Sequence, residues 1–325
     1  MKNIIVFLLF LLFSINSCNS KADKSKAFIP DSSGNLNHIS VIMPTSDWKG
    51  QLGKSVRDNL SKAYEGLPFD EPQFSLDYLN PKVFSGFARQ SRNIIWFQKD
   101  SIPRFQLAKD QFSSPQIVGL VTGEDSEVQQ FFFEENLALF TQTISENERK
   151  EKLRRINKSP TKDKNLKRRF GYNLVYPSVY KVVKDTSNFI WIQKQIQKGH
   201  LNIIAYEIFD SISVNNFNTK ILNIRDSIGK LYIPGRISGS YMITERAYQP
   251  YFYKVELDGK KGYLTKGTWE VANDFMAGPF VNYMIKDSLT KSWMVIEGFT
   301  FAPSMNKRDY MFELNTIITT IKKVN

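Results

Sequence analysis

The chain has 325 residues, of which 42% are hydrophobic and 14% aromatic, enough for one large or two medium domains with apolar cores. Lysine and arginine number 44 against 32 aspartate and glutamate residues, so the formal net charge at pH 7 is +12, which favours anionic partners. Only two histidines and one cysteine are present, which excludes a zinc site built on several histidines or thiolates and a disulfide within the chain.

The N-terminus predicts a secretory signal with a lipid attachment site. A basic start is followed by an apolar run over residues 4–13, which is too short to cross a bilayer, since a membrane helix needs about 20 residues. Residues 15–18 (Ile-Asn-Ser-Cys) are typical of a lipobox, in which the cysteine is acylated and becomes the mature N-terminus. We therefore predict a signal peptide over residues 1–17 and a lipid anchor at Cys18. Secretion with an incidental cysteine is the alternative.

The polar residues after Cys18 predict a flexible, lipid-anchored tether over residues 18–36. The folded part begins with a predicted strand at residues 38–43, which Pro44 ends. Apolar residues at every fourth position between Trp48 and Tyr64 predict an amphipathic helix. A second helix is predicted from about Ser126, and it becomes polar and basic beyond Ile144.

An internal similarity predicts a duplicated unit. Residues 93–99 and 188–194 agree at five of seven positions, and a similar short segment precedes each of them. Each copy is flanked by predicted helices and a further strand, so we expect an α+β fold with a repeated α-β-β-β-α unit of antiparallel strands. The alternative is that isoleucine and tryptophan are common in any strand.

The remaining sequence predicts a third, strand-rich part. A helix with an apolar stripe from Phe217 to Leu231 is followed by strands at residues 241–244, 251–257, 263–271, 280–285 and 292–301, and by a terminal helix. We therefore expect a first α+β repeat over residues 37–145, a second over residues 146–232, and a C-terminal part over residues 233–325 that packs with the repeats.

A basic run between Arg149 and Arg169 contains eleven lysine or arginine residues against Glu151 and Asp163. A solvated helix and loop is the plain interpretation. The alternative is a contact with an anionic surface, made by Arg149, Lys150, Arg154, Arg155, Lys167, Arg168 and Arg169.

The densest segment of the chain, residues 267–280, combines large aromatic side chains with carboxylates and an amide. In one interpretation these residues form a groove for a sugar or peptide, with apolar walls and a few polar contacts. The expected ligand-binding residues are then Trp269, Glu270, Asn273, Asp274, Phe275 and Phe280. In the other interpretation the aromatic side chains belong to the core and Asp274 caps a turn.

Two pieces of this segment, Gly267-x-Trp269-Glu270 and residues 273–280, resemble the signature of a family of uncharacterised Bacteroidetes lipoproteins that contain a domain of unknown function. The resemblance covers nearly the whole mature chain and implies a fold and an envelope location, but no activity. In such lipoproteins an acidic run directly after the cysteine favours the cell exterior. Its absence here implies an outer-membrane lipoprotein on the periplasmic face.

We therefore expect a non-catalytic, membrane-anchored protein that binds an envelope protein, peptidoglycan or anionic lipid, with no catalytic residue, metal or cofactor. No Gly-x-Ser-x-Gly elbow or phosphate-binding loop accompanies the two histidines. Nucleic acid is not an expected partner, because an exported protein rarely meets it. The alternative function is a hydrolase of cell-wall glycan or peptide that uses Glu270 and Asp274 as paired carboxylates, with Glu245 or Glu297 as further candidates.

Overall fold

The structure is a computed structural model that describes residues 28–209, 217–287 and 291–324. The predicted signal peptide and Cys18 lie outside these residues. The first half of the chain forms five strands and four α-helices among the described residues, which are β1 (His38–Ile42), α1 (Thr45–Lys49), α2 (Gln51–Leu60), β2 (Ser75–Leu79), β3 (Asn93–Lys99), β4 (Arg104–Lys109), β5 (Ile117–Gly123), α3 (Ser126–Glu135) and α4 (Leu137–Ile156), together with short 3-10 helices at Pro81–Val83 and Gly86–Gln90.

These strands form a mixed sheet, called here the first sheet, in the order β2-β1-β3-β5-β4. The strands β2, β1, β3 and β5 are parallel, and β4 pairs with β5 in the antiparallel sense. The inner parallel strands β1, β3 and β5 are largely apolar and buried because both of their faces are covered, whereas the edge strand β2 is only partly buried. Helices α2, α3 and α4 cover one face around Val41, Ile95 and Phe133, and loops cover the other around Phe84 and Ile94.

The second half of the chain is richer in strands. Its elements are α5 (Asn165–Phe170), β6 (Tyr172–Asn173), β7 (Lys181–Thr186), β8 (Phe189–Ile196), β9 (Gly199–Ile208), α6 (Phe217–Tyr232), β10 (Met242–Thr244), β11 (Tyr251–Leu257), β12 (Lys260–Val271), β13 (Asp274–Asp287), β14 (Ser292–Phe301), α7 (Arg308–Ile318) and β15 (Lys322–Lys323).

Eight of these strands form an antiparallel second sheet, in the order β10-β12-β13-β14-β9-β8-β7, with β11 also paired to β12. Helix α7 packs on one face through Leu314 and Ile318, and α6 packs on the other through Ile221. The short strands β6 and β15 pair separately. The predicted α+β class is confirmed.

The predicted duplication of an antiparallel unit is wrong for the first half of the chain. The similar segments are β3 and β8, but β3 has two parallel neighbours whereas β8 lies between two antiparallel neighbours. The difference arises from the connections between the strands. A two-residue turn at residues 197–198 returns the chain directly from β8 to β9, whereas β4 pairs with β5 and leaves β3 to parallel partners reached by longer crossovers.

Helix α4 and the second sheet each extend across one of the domain boundaries expected from the sequence. The boundary at residues 145/146 falls inside α4. The boundary at residues 232/233 separates α6 from β10, yet β9 pairs with β14, so strands on both sides of it belong to the second sheet. The change from one sheet to the other occurs between α4 and α5.

Polar contacts join the two halves. Lys266 on β12 donates a hydrogen bond of 3.0 Å to Glu65, which lies between α2 and β2. Lys152 on α4 donates one of 2.5 Å to Glu313 on α7. These contacts hold the helical face of the first sheet against the α7 side of the second.

Candidate functional site

The aromatic residues of the 267–280 segment separate into core and tip. Trp269 on β12 and Phe280 on β13 are 2% and 1% exposed and belong to the core beneath α6. The indole of Trp269 packs edge-on against Phe299, with ring centroids 5.7 Å apart. Gly278 allows this packing, because a Cβ there would lie 2.1 Å from the carbonyl oxygen of Thr300 and 3.1 Å from the indole nitrogen.

Phe280 also covers a buried ion pair. The guanidinium of Arg225 on α6 lies 3.8 Å from the centroid of the Phe280 ring and donates a 2.9 Å hydrogen bond to Glu297. Asn282 and Thr244 complete the network, at 2.9 Å from Glu297 and 3.0 Å from Arg225. Glu297 therefore fixes α6 on the second sheet and has no exposed surface for a substrate.

The turn of the β12–β13 hairpin carries the other predicted residues. Asn273 has a φ of 64°, as tight turns often require, and Phe275 is fully exposed. Asp274 accepts hydrogen bonds of 2.7 and 3.1 Å from Arg236, which hold the pKa of its carboxyl below the ordinary value. Since Phe275 lies at the turn while Trp269 and Phe280 lie in the core, the structure does not bring the three aromatic side chains around one groove.

Glu270 and Asp274 do not form the carboxylate pair that the sequence analysis considers. Glu270, half-buried at the end of β12, is next to Glu245 rather than in a shared pair with Asp274. Burial raises the pKa of Glu270, and the hydrogen bond and negative charge of Glu245 raise it further. Asp274 is instead engaged by Arg236. The two carboxylates proposed for glycan cleavage thus have separate partners.

The basic run divides into two groups. At the end of α4, the carboxylate of Glu151 accepts hydrogen bonds of 2.6 and 2.9 Å from Arg154 and one of 2.7 Å from Arg155. Burial alone would raise the pKa of Glu151, but the two guanidinium groups outweigh it and lower the value to about 2. Both arginines are about half exposed, so Glu151 holds them in place at the surface.

The second group lies on α5. Arg169 donates a 2.7 Å hydrogen bond to Asp185 on β7, and Arg168 lies 3.8 Å from the same carboxylate. Lys167 is exposed on the same helix, and Arg149 and Lys150 are exposed on α4. Arg154 and Arg155 therefore share the partner Glu151, whereas Arg168 and Arg169 share the partner Asp185.

The N-terminal segment of the described chain pairs with Ser114 through residues 30–32 and then passes the basic end of α4. Arg155 donates a 3.4 Å hydrogen bond to the carbonyl oxygen of Gly34, and Arg92 donates one of 2.7 Å to that of Asn35. Upstream, Phe28 and Ile29 are 90% and 46% exposed. Residues 34 and 35 thus lie next to a positively charged surface.

Sequence patterns miss two cavities beside β2. One, of about 240 Å³, is lined by Asp77, His38, Ser91 and Arg92 together with residues 33–35. The other, an open groove of about 790 Å³, is lined by Trp48, Arg57, Asp58, Ser61, Pro72, Phe74, Ser75 and Leu76. The sequence analysis predicts no strand at residues 75–79, so it does not indicate that these side chains meet.

Two kinds of site are absent from the described part of the chain. No group of three or more histidine, cysteine, aspartate or glutamate side chains there is placed to hold a metal ion. None of the helices within residues 28–209, 217–287 and 291–324 is both long and apolar enough to cross a membrane.

Comparison with solved structures finds distant likenesses. One is LpqN, described as involved in cell envelope biogenesis of Mycobacterium tuberculosis, with a TM-score of 0.31, 13% identity, and coverage of 47% of this chain and 83% of that one. Another is a protein of Bacteroides thetaiotaomicron VPI-5482, with a TM-score of 0.26, 10% identity, and coverage of 48% and 46%. No curated protein matches the chain.

Family models match both halves of the chain. Each model is described only as a domain of unknown function, which agrees with an uncharacterised family. The two matches meet where the structure passes from α4 to α5. The chain thus combines two domains of unknown function, DUF8532 over residues 32–157 and DUF4837 over residues 159–320.

Proposed function

We propose that this protein is a lipid-anchored, non-catalytic interaction protein of the cell envelope, with the basic end of α4 facing an anionic membrane surface. The observation that carries the proposal is the contact between Arg155 and Gly34, because it brings the N-terminal segment of the described chain past that basic end. Lipid attached at Cys18 would therefore draw this surface, rather than the opposite side of the molecule, towards the bilayer.

The length of the connecting segment supports this orientation. Ten residue steps separate Cys18 from Phe28. At about 3.5 Å each they reach at most about 35 Å. Phe28 and Ile29 add exposed apolar surface, and each basic residue near an anionic surface contributes about 1 kcal/mol before screening. The proposed location is the periplasmic face of the outer membrane, with anionic lipid as the immediate contact.

A non-catalytic role agrees with the partners of the candidate acids. Glycan cleavage through Glu270 and Asp274 requires both carboxylates to act on one substrate. Asp274 is bound to Arg236, and Glu270 neighbours Glu245. No observation favours the hydrolase over the interaction protein.

The anchor is tested on the full-length protein expressed in a bacterium that lipidates exported proteins. Mass spectrometry of the N-terminal peptide is expected to find a mature chain that starts at Cys18 and carries diacylglycerol and acyl groups. The Cys18→Ser variant is expected to lose the modification and to leave the membrane fraction. If Cys18 is unmodified and the protein is found outside the membrane fraction, the proposed lipid anchor is wrong.

The orientation is tested by distance to the bilayer. Once Cys18 is acylated, a newly introduced cysteine is the only free thiol and accepts one fluorophore. We expect a label at Asn157→Cys to be quenched by spin-labelled anionic lipid in vesicles, and a label at Ala138→Cys to be quenched much less. Ala138 is the matched control, since it is exposed on the same helix roughly 28 Å away along the axis. Equal quenching at both positions would contradict the proposed orientation.

A further inference from the structure

Strand β2 is an open edge of the first sheet. The N–H of Ser75 donates to the carbonyl oxygen of Asn37 at 2.9 Å, and the N–H of Met43 donates to that of Leu79 at 3.3 Å. Backbone direction alternates along a strand, so residues 75, 77 and 79 bond to β1 while the N–H and C=O groups of Leu76 and Tyr78 point away from it. Within the described ranges no strand pairs with that outer side. Such groups can accept an added strand.

On the helical face, the 790 Å³ groove runs beside this edge with a fixed aromatic wall. Trp48 stacks on Tyr78, with ring centroids 4.9 Å apart and an interplanar angle of 10°. The guanidinium of Arg57 lies 4.5 Å from the Trp48 ring centroid and donates to the Trp48 carbonyl oxygen at 2.7 Å. Pro72, Phe74 and Leu76 supply the rest of the apolar lining, and the polar lining residues are Arg57, Asp58, Ser61 and Ser75. This side of the edge suits an apolar side chain.

On the opposite face, the 240 Å³ cavity presents an acidic group. The Asp77 side chain is 60% exposed, and its carboxylate lies 3.1 Å from Nδ1 of His38. Arg92 also lines this cavity, but its charge is balanced by Glu148, whose carboxylate accepts a 2.6 Å hydrogen bond from it. Asp77 is therefore the exposed charge of the cavity, and this side of the edge suits a basic side chain.

We infer that the β2 edge is a docking site for an extended peptide segment of a partner protein, with alternating apolar and basic side chains. Successive side chains of an extended strand point to opposite faces, so one set enters the Trp48 groove and the other approaches Asp77. A second copy of this chain fits less well, because an antiparallel pairing centred on Asp77 would place two aspartates opposite each other. The inference names the partner class of the proposed interaction protein and rests on that role, but not on the lipid anchor.

The probe is a fluorescein-labelled nine-residue peptide of alternating valine and lysine, titrated with the full-length protein in neutral detergent and followed by anisotropy. Asp77→Asn is expected to weaken binding about fivefold, the effect of losing about 1 kcal/mol from an exposed ion pair. Glu135→Gln, which removes an exposed carboxylate on α3, is the matched control and should leave the affinity unchanged. Equal binding by Asp77→Asn and the control would overturn the role of Asp77.

Two altered peptides test the binding mode. N-methylation of the central amides removes the main-chain donors and is expected to abolish binding. A valine–glutamate peptide is expected to bind more weakly than the lysine peptide, although the net charge of +12 would attract it non-specifically. Unchanged affinity of the N-methylated peptide, or preference for the acidic one, would overturn the inference.

Hydrogen exchange locates the bound peptide. The amides of Leu76 and Tyr78 are expected to exchange more slowly with the lysine peptide present, whereas that of Asp77, already bonded to β1, is expected to change little. Binding without slower exchange at Leu76 and Tyr78 would overturn the edge as the site. These results are independent of Cys18 acylation and of vesicle quenching, so failure here is distinguishable from failure of the membrane orientation.

Discussion

Glu270 and Glu245 show how one pair of side chains couples a candidate site to stability. The N–H of Glu245 donates to the carbonyl oxygen of Thr268, which places Glu245 beside the end of β12. Burial and the neighbouring carboxyl group raise the pKa of Glu270 above its ordinary value of 4.5. Because the folded-state pKa is the higher one, the stability contributed by Glu270 is complete below the unfolded pKa and is lost as pH rises through the folded pKa.

Glu270→Gln is therefore expected to increase the free energy of unfolding at pH 7, with a gain that shrinks towards zero as the pH falls to about 4. Urea unfolding between pH 4 and pH 8 measures it. Glu245→Gln removes the same repulsion, so the gain in the double variant should be smaller than the sum of the gains in the two single variants. Lower stability of Glu270→Gln at pH 7 would mean that the pair is not repulsive in the folded state.

The sequence identified the composition of the 267–280 segment but not its geometry. Two-residue periodicity predicts that Trp269 and Val271 share a face, but it does not say whether that face meets a helix or a ligand. Burial beneath α6 decides the question for Trp269 and Phe280. The sequence does not predict that Trp48 and Asp77 lie on the two sides of one sheet edge, because that arrangement depends on the pairing of β2 with β1.

At the scale of elements, α7 begins with a cap supplied from the other half of the chain. Lys307 precedes the helix and provides no side-chain cap. Instead the Glu71 carboxylate accepts hydrogen bonds of 2.7 and 2.9 Å from the N–H of Lys307 and one of 2.8 Å from that of Arg308. The first N–H groups of a helix have no partner within it, and a carboxylate there also interacts favourably with the helix dipole.

Glu71→Ala is expected to lower the free energy of unfolding by about 1–2 kcal/mol, as for loss of a helix cap. Urea unfolding measures the change, and hydrogen exchange should become faster at residues 307–309. Asp70→Ala alters the exposed neighbouring carboxylate and should change stability by less than about 0.5 kcal/mol. Equal losses for the two variants would show that the cap contributes nothing specific.

The positions of helices and strands were easier to predict from the sequence than the pairing between strands. The strands between residues 241 and 301 lie close to the positions indicated by their alternation and turns, and the pattern from Ser126 is helical but interrupted at Asn136. Local sequence determines that residues 93–99 and 188–194 are strands. It does not determine their neighbours, which depend on connections and on the helices that cover each face.

At the scale of the whole molecule, Glu313 links three elements. Its carboxylate accepts hydrogen bonds of 2.5 Å from Lys152 on α4, 2.8 Å from Lys194 on β8 and 2.8 Å from the Tyr180 hydroxyl. Burial alone would raise the pKa of Glu313, but the two ammonium groups outweigh it and lower the value. Together with the Glu71 cap and the Lys266–Glu65 pair, this contact ties the first sheet to the second.

Because these contacts are shared, we expect both halves to unfold in one transition. Trp48 and Trp96 report on the first sheet, and Trp191, Trp269 and Trp293 report on the second. Incorporated 5-fluorotryptophan gives each tryptophan a separate NMR signal, and all five signals are expected to share one urea midpoint.

Glu313→Ala leaves two ammonium groups without their partner, at a loss of about 3 kcal/mol, and should lower every midpoint together. Glu135→Gln is the control, with unchanged midpoints. If only the Trp191, Trp269 and Trp293 signals move in Glu313→Ala, the two halves are separate folding units and the linking contacts do not couple them.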